Sequence, residues 1–187
     1  MANITRIGVC GHRNLPACEI FQPALAQCTK FLKNQFPTNS FQVTSCLAEG
    51  ADQLLASHFM DTLAASLCVL IPLPLDDYKR DFINPNALSR LEALLSSANQ
   101  LLSTPPNAVR PQAYQQANIL LVKNIDLLVA IWDGRVGHGP GGTWEVVATA
   151  RANSLPLVHL LLNRENNLVS LRSENFRNLL PNEGGNS

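Results

Sequence analysis

Four short segments hold most of the side chains able to do chemistry in this chain of 187 residues. Gly11-His12-Arg13 joins an imidazole to a guanidinium, whose rigid fork suits a phosphate or a carboxylate. Glu49-Gly50-Ala51-Asp52 sets two carboxylates around a glycine, and Asp52 either caps a helix or hydrogen-bonds ligand hydroxyls. Asp76 to Asp81 mixes both charge signs; it reads as a solvated turn or as a source of ligand contacts from Tyr78, Arg80 and Asp81. The richest segment runs from Asp133-Gly134 to Glu145. Its glycines, Gly137, Gly139, Gly141 and Gly142, let the backbone approach a ligand closely. Gly142-Thr143 then opens a helix, whose free N–H groups and positive dipole end suit a phosphate. Glu145 falls in that helix's first turn, where it reads equally as a capping acid and as a working carboxylate. Trp132 and Trp144 flank the segment, and Trp144 either covers a base or sugar ring or packs in the core.

Regular elements must bring these segments together. Ile4 to Cys10, Phe41 to Cys46, Leu67 to Leu73, Asp126 to Trp132 and Leu157 to Leu162 read as strands. Glu19 to Lys33, Asp52 to Ala65, Asn86 to Leu102, Gln112 to Lys123 and Trp144 to Ala152 read as helices, with a proline-rich loop from Ser103 to Pro111. Near-continuous apolar strands alternating with helices imply a three-layer Rossmann-like α/β fold, with a parallel, doubly wound sheet of about five strands. One domain over residues 1–163 is expected, then a polar tail at 164–187, partly disordered, with one short helix around Leu168 to Leu180 and a frayed end from Pro181 to Ser187. Four of the five strands end in glycine or clustered polar residues, while the loops that enter the strands are plainer. In open parallel sheets, ligands bind beyond the carboxyl ends of the strands near a topological switch point, so the four segments converge where such a site belongs. His58 and His159 fall on a helix and in an apolar strand and read as structural; the Leu-rich helix Leu88 to Leu102 offers either core packing or a homodimer face.

Composition excludes several classes. The chain carries 14 Lys and Arg against 14 Asp and Glu, and charged residues make up 15% of it. With no basic excess to neutralise a run of phosphates, a nucleic acid polymer is not the expected partner. No apolar run approaches the ~20 residues that span a bilayer, and the start lacks a signal peptide's charged, then apolar, pattern. Five cysteines, none in a Cys-x-x-Cys pair, read as buried core residues in a reducing cytoplasm; Cys10, just before the first glycine, is the one candidate thiol nucleophile. There is no P-loop, no Gly-x-Gly-x-x-Gly after the first strand, no Gly-x-Ser-x-Gly elbow and no histidine pair with metal spacing. Neither a metal nor a cofactor is expected.

Taken together, the motifs resemble the SLOG superfamily of Rossmann-like proteins, which includes the cytokinin-activating phosphoribohydrolases (LOG), the DNA-processing protein A family and nucleotide-sensing domains of bacterial conflict systems. Ser45-Cys-Leu-Ala-Glu-Gly-Ala-Asp52 is similar to that superfamily's segment after the second strand, and Pro140-Gly-Gly-Thr-Trp-Glu145 to the phosphoribohydrolases' glycine loop. A bacterial subgroup combines Gly11-His-Arg13, Leu47-Ala-Glu-Gly-Ala-Asp52 and a Leu-Pro-x-Pro-x-x-x-Tyr-x-x-Asp-Phe run, which this chain matches from Pro72 to Phe82 with Ile71 at the first place. Ala130-Ile-Trp-Asp-Gly134 with Gly141-Gly-Thr143 completes the set. The resemblance implies a small nucleotide-type ligand, a nucleoside monophosphate or an NAD-derived molecule. Its contacts would come from Gly11, His12, Arg13, Glu49, Gly50, Asp52, Tyr78, Arg80, Gly134, Gly141, Gly142 and Thr143, its phosphate lying against the last three. Glu145 matches the glutamate that acts with a helical arginine in the phosphoribohydrolases, but the helix before the fourth strand offers Tyr114, Gln115, Gln116 and Asn118 instead of that arginine. A sensor or carrier domain is therefore expected. The alternative is an N-glycoside hydrolase, or a deoxyribosyltransferase of the kind that pairs an Asp-Gly turn with a nucleophilic glutamate, with Glu145 and Asp133 as its catalytic residues.

Overall fold

The computed structural model describes residues 3–105, 109–137 and 141–176. Of the glycine-rich segment, His138, Gly139 and Pro140 therefore lie outside the described residues, as does the chain from 177 onward. Seven strands form one sheet: β1 (Ile4–Gly11), β2 (Ser40–Ser45), β3 (Ser66–Ile71), β4 (Gln100–Ser103), β5 (Leu127–Trp132), β6 (Leu157–Asn163) and β7 (Leu168–Glu174). Their order is β4-β3-β2-β1-β5-β6-β7, and every pair is parallel except β6 with β7. Among the described residues six α-helices connect them, the first preceded by a 3-10 turn at Cys18–Phe21: α1 (Gln22–Gln35), α2 (Ala51–Leu63), the single-turn α3 (Leu75–Lys79), α4 (Pro85–Ser96), α5 (Arg110–Lys123) and α6 (Thr143–Ala152).

Successive strand side chains point to opposite faces, and this alternation builds two cores. Ile7 and Val9 of β1, with Leu127, Val129 and Ile131 of β5, pack among residues of α1, α2 and α4. Cys10, Leu128, Ala130 and Trp132 pack on the other face, among residues of α5 and α6. This is the expected three-layer Rossmann-like arrangement with a doubly wound sheet, wider by two strands than the sequence suggests. From β1 the chain steps outward through β2, β3 and β4, and α5 then carries it back to β5 on the other side of β1. The switch point thus lies between β1 and β5.

Both additional strands replace expected helix. The helix expected over Asn86 to Leu102 ends at Ser96, and Gln100–Ser103 pairs with β3 instead. Asn99 makes the change of element: its side-chain carbonyl accepts the Leu67 amide at 2.9 Å and its own amide donates to the Leu67 carbonyl at 2.8 Å. Leu91 and Leu94 of α4 are buried in the core. Within the segment expected as a polar tail with a helix around Leu168 to Leu180, residues Leu168–Glu174 form β7, and Val169 and Leu171 pack on the core. Among the described residues no helix is long and apolar enough to cross a membrane.

The end of β1 is pressed between α2 and β5. The His12 amide donates to the Ile131 carbonyl at 3.1 Å, and the Ala51 amide to the His12 carbonyl at 3.0 Å. A side chain on Gly11 would come within 2.4 Å of both Ala51 Cβ and the Ile131 carbonyl oxygen. Gly50 has φ +89°, and a methyl there would lie 2.1 Å from the Arg13 carbonyl oxygen. Backbone cannot yield as a flexible side chain can, so Gly50→Ala should cost about 3 kcal/mol or more. In thermal denaturation that is a fall in Tm of roughly 6 to 12 °C; a variant as stable as the wild type would show that the segments have room to separate.

Candidate functional site

A cavity of about 460 Å³ opens at the switch point, beyond the carboxyl ends of β1 and β5. Gly11, His12, Arg13, Asp52, Tyr78, Asp133, Gly141, Gly142 and Thr143, all named from sequence, line it. Glu145, Glu49, Gly50, Arg80 and Gly134 do not. Glu49 and Gly50 line a neighbouring hollow with Arg13 and Arg90. Arg80 is largely exposed and pairs with Asp77 at 3.1 Å, one helical turn away. Sequence reasoning missed the wall contributed by α5, Tyr114, Asn118 and Leu121. Their i, i+4, i+7 spacing puts them on one helix face, and that was the available signal.

Asp52 is 6% exposed, in the first turn of α2, and its carboxylate accepts the Ser45 hydroxyl at 3.2 Å. Burial pushes its pKa up to about 7, although Ser45, the amides of Ala48 and Gly11 and the Arg13 charge all favour the ionised form. A carboxyl of this kind at a cavity wall exchanges its proton near neutral pH. Cys10 and Cys46, beside it, are held as neutral thiols: burial raises both, and the Asp52 charge adds to it. Cys10 therefore lacks the thiolate that a nucleophile needs.

Asp133 is more tightly engaged. His12 Nε2 lies 3.1 Å from its Oδ1 and 3.2 Å from its amide, so that nitrogen has a partner in either tautomer. Arg164 Nε donates to the other carboxylate oxygen at 3.2 Å. Burial raises this carboxyl, but the Arg135 amide, His12 and Arg164 outweigh it and hold Asp133 below the usual carboxylate range. The residue is an anchor for the loop after β5.

Tyr78 is fully buried and donates its hydroxyl to the Cys46 carbonyl at 2.9 Å. Asp81 accepts both the Tyr114 hydroxyl and the Arg110 guanidinium, while its carbonyl accepts from Arg13 at 3.2 Å. This network ties α5 and the segment after α3 to the exposed Arg13 at the cavity mouth. Gly142, in extended conformation, is the residue before α6, and the Thr143 and Trp144 amides that follow lack intrahelical partners. The Glu145 carboxylate accepts the Gly141 amide at 2.6 Å. Its position is that of a first-turn acid closing its own loop, not of a group facing the cavity.

Of the remaining histidines named from sequence, His58 contacts Thr29 at 2.8 Å, and His159 stacks on Trp132 with ring centroids 5.5 Å apart. Among the described residues no three His, Cys, Asp or Glu side chains gather as a metal site. No protein-family model and no curated protein matches this chain.

The raised Asp52 pKa has a consequence for stability. The folded state keeps a proton that the unfolded chain releases near pH 4, so Asp52 makes stability fall as pH rises from about 4 to 7 and stay lower above. Urea unfolding of wild type and Asp52→Asn at pH 4.5 and pH 8 should show the wild type losing more on the way up, by on the order of 4 kcal/mol. Equal changes in the two proteins would place the carboxyl in ordinary solvent contact.

Proposed function

We propose that this chain binds a small nucleotide-type ligand, a nucleoside monophosphate or an NAD-derived molecule, and serves as a sensor or carrier domain. The observation that carries this reading is the cavity at the switch point, where the Arg13 guanidinium and the open start of α6 at Gly142 and Thr143 share one chamber with apolar and aromatic walls. Phosphate would take the N–H groups and the cation, and the rest of the ligand the apolar walls. A volume of about 460 Å³ is toward the low end for small-molecule sites and suits one mononucleotide. The resemblance to the SLOG superfamily supports the same ligand class, and five unpaired cysteines suit a reducing cytoplasm.

Binding is favoured over turnover because neither candidate carboxylate is free. Glu145 holds the Gly141 amide, and Asp133 is held by His12 and Arg164. The second reading, N-glycoside hydrolysis or deoxyribosyl transfer, would need Glu145 to leave Gly141 and swing into the cavity.

A thermal-shift panel of nucleoside monophosphates and NAD, with chromatographic detection of free base, tests both. At about 100 times its Kd, a ligand adds roughly 2.7 kcal/mol, or about 5 to 10 °C in Tm. The expected result is such a shift with at least one nucleotide and no released base; no shift across the panel rejects the binding reading, and base release that disappears in Glu145→Gln establishes the enzyme. Independently of ligand, Glu145→Ala should lower Tm by roughly 3 to 6 °C, the loss of one charge-assisted hydrogen bond of about 1.5 kcal/mol.

A further inference from the structure

Two residues that line the cavity carry buried hydrogen-bond donors with no partner among the described residues. Asn118 Nδ2 of α5 and Trp144 Nε1 of α6 are both shielded from solvent. A buried N–H left without an acceptor keeps its desolvation cost, and folded proteins leave few of them. The third such atom, Gln116 Oε1, belongs to a residue that does not line the cavity, so the point is the coincidence of two orphaned donors on one wall.

The surroundings of this wall say what would complete it. Neither α5 nor α6 contributes an ionised side chain to the lining, and Leu121 and Val146 stand beside the two donors. The charged lining residues, Arg13 and Asp52 among them, come from the β1 and β5 ends and from α2. An anion is expensive to desolvate against neutral donors and alkyl groups. A flat heterocycle is not: its faces are apolar, and its ring nitrogens or oxo groups accept hydrogen bonds at the edge.

We infer that Asn118 and Trp144 form the subsite for the uncharged heterocyclic base of the ligand, donating to acceptor atoms on its edge, while the phosphate stays with Arg13 and the start of α6. The inference rests on the nucleotide-binding reading above. It also carries a signature that a structural role lacks. Asn118→Ala removes an unsatisfied donor and little bulk, so the ligand-free protein should keep its Tm while binding weakens.

Calorimetric titration of wild type, Trp144→Phe and Asn118→Ala with the four common ribonucleoside monophosphates and with ribose 5-phosphate tests it. For the tightest nucleotide, each variant should lose about tenfold in affinity, the size of one neutral hydrogen bond to a desolvated donor. Ribose 5-phosphate, which has no base, should bind all three proteins alike. Unchanged nucleotide affinity in both variants overturns the inference and leaves the nucleotide reading standing. Equal losses for nucleotide and ribose 5-phosphate overturn it by making the two donors phosphate ligands. A ligand-free Asn118→Ala protein markedly less stable than the wild type overturns it by showing a structural partner for the Asn118 amide. Failure of every nucleotide to bind the wild type removes the nucleotide reading and the inference with it.

Discussion

Gly11 and Gly50 let three pieces of backbone meet with no side chain between them. The end of β1, the start of α2 and the end of β5 are joined by the His12–Ile131 and Ala51–His12 hydrogen bonds, and methyl groups at either glycine would collide with backbone oxygens. The charged groups at the ends of β1 and β5 and the start of α2 inherit their positions from this junction. It holds His12 against Asp133 and Arg13 at the mouth, and it sets the first turn of α2, with Asp52, against the cavity. Both glycines therefore act through packing: Gly11 touches the cavity but is fixed by its backbone neighbours, and Gly50 stands outside the cavity lining.

The charged groups divide into those already neutralised and those left available. Asp133 has two cationic or imidazole partners and Asp81 has Arg110 and Tyr114, so these carboxylates stiffen loops. Among the described residues the Arg13 side chain donates only to the Asp81 carbonyl, which orients the guanidinium without cancelling its charge. Asp52 is the intermediate case. Its burial outweighs the Arg13 attraction, leaving a neutral wall below pH 7 and an anionic one above. Coulombic attraction across a solvated mouth is weak beside the cost of removing a carboxylate from water.

The sequence made the central strands legible because they are buried on both faces. β5 reads as an unbroken apolar run and β1 and β6 as nearly continuous ones, and the glycine or polar residues that follow them marked the edge where the cavity opens. The edge strands were not legible for the same physical reason. β4 is four residues long and continues the leucines of α4 without a break, so only the Asn99–Leu67 pairing, a tertiary contact, ends the helix. β7 is covered on one side and alternates exposed with half-buried residues, and that weak signal in an Asn-rich stretch looked like a tail. At the site, glycines and charges could be listed but not their engagements. Glu145 and Asp133 look chemically capable in one dimension and prove to be occupied in three. Asn118, on a helix with nothing else to mark it, becomes informative only because its buried amide has no partner.

The antiparallel course of β7 also decides where the chain enters and leaves the domain. β6 runs toward the cavity, and β7 runs back beside it, with Glu174 opposite Leu157 at the start of β6. Phe176 then packs edge-on against Phe31, near the end of α1. Residue 3 stands at the same side, next to Ser40, whose amide donates to the Asn3 carbonyl. Both ends of the described polypeptide thus sit on the side of the sheet away from the cavity mouth, so neither residue 3 nor residue 176 stands near the way into the cavity.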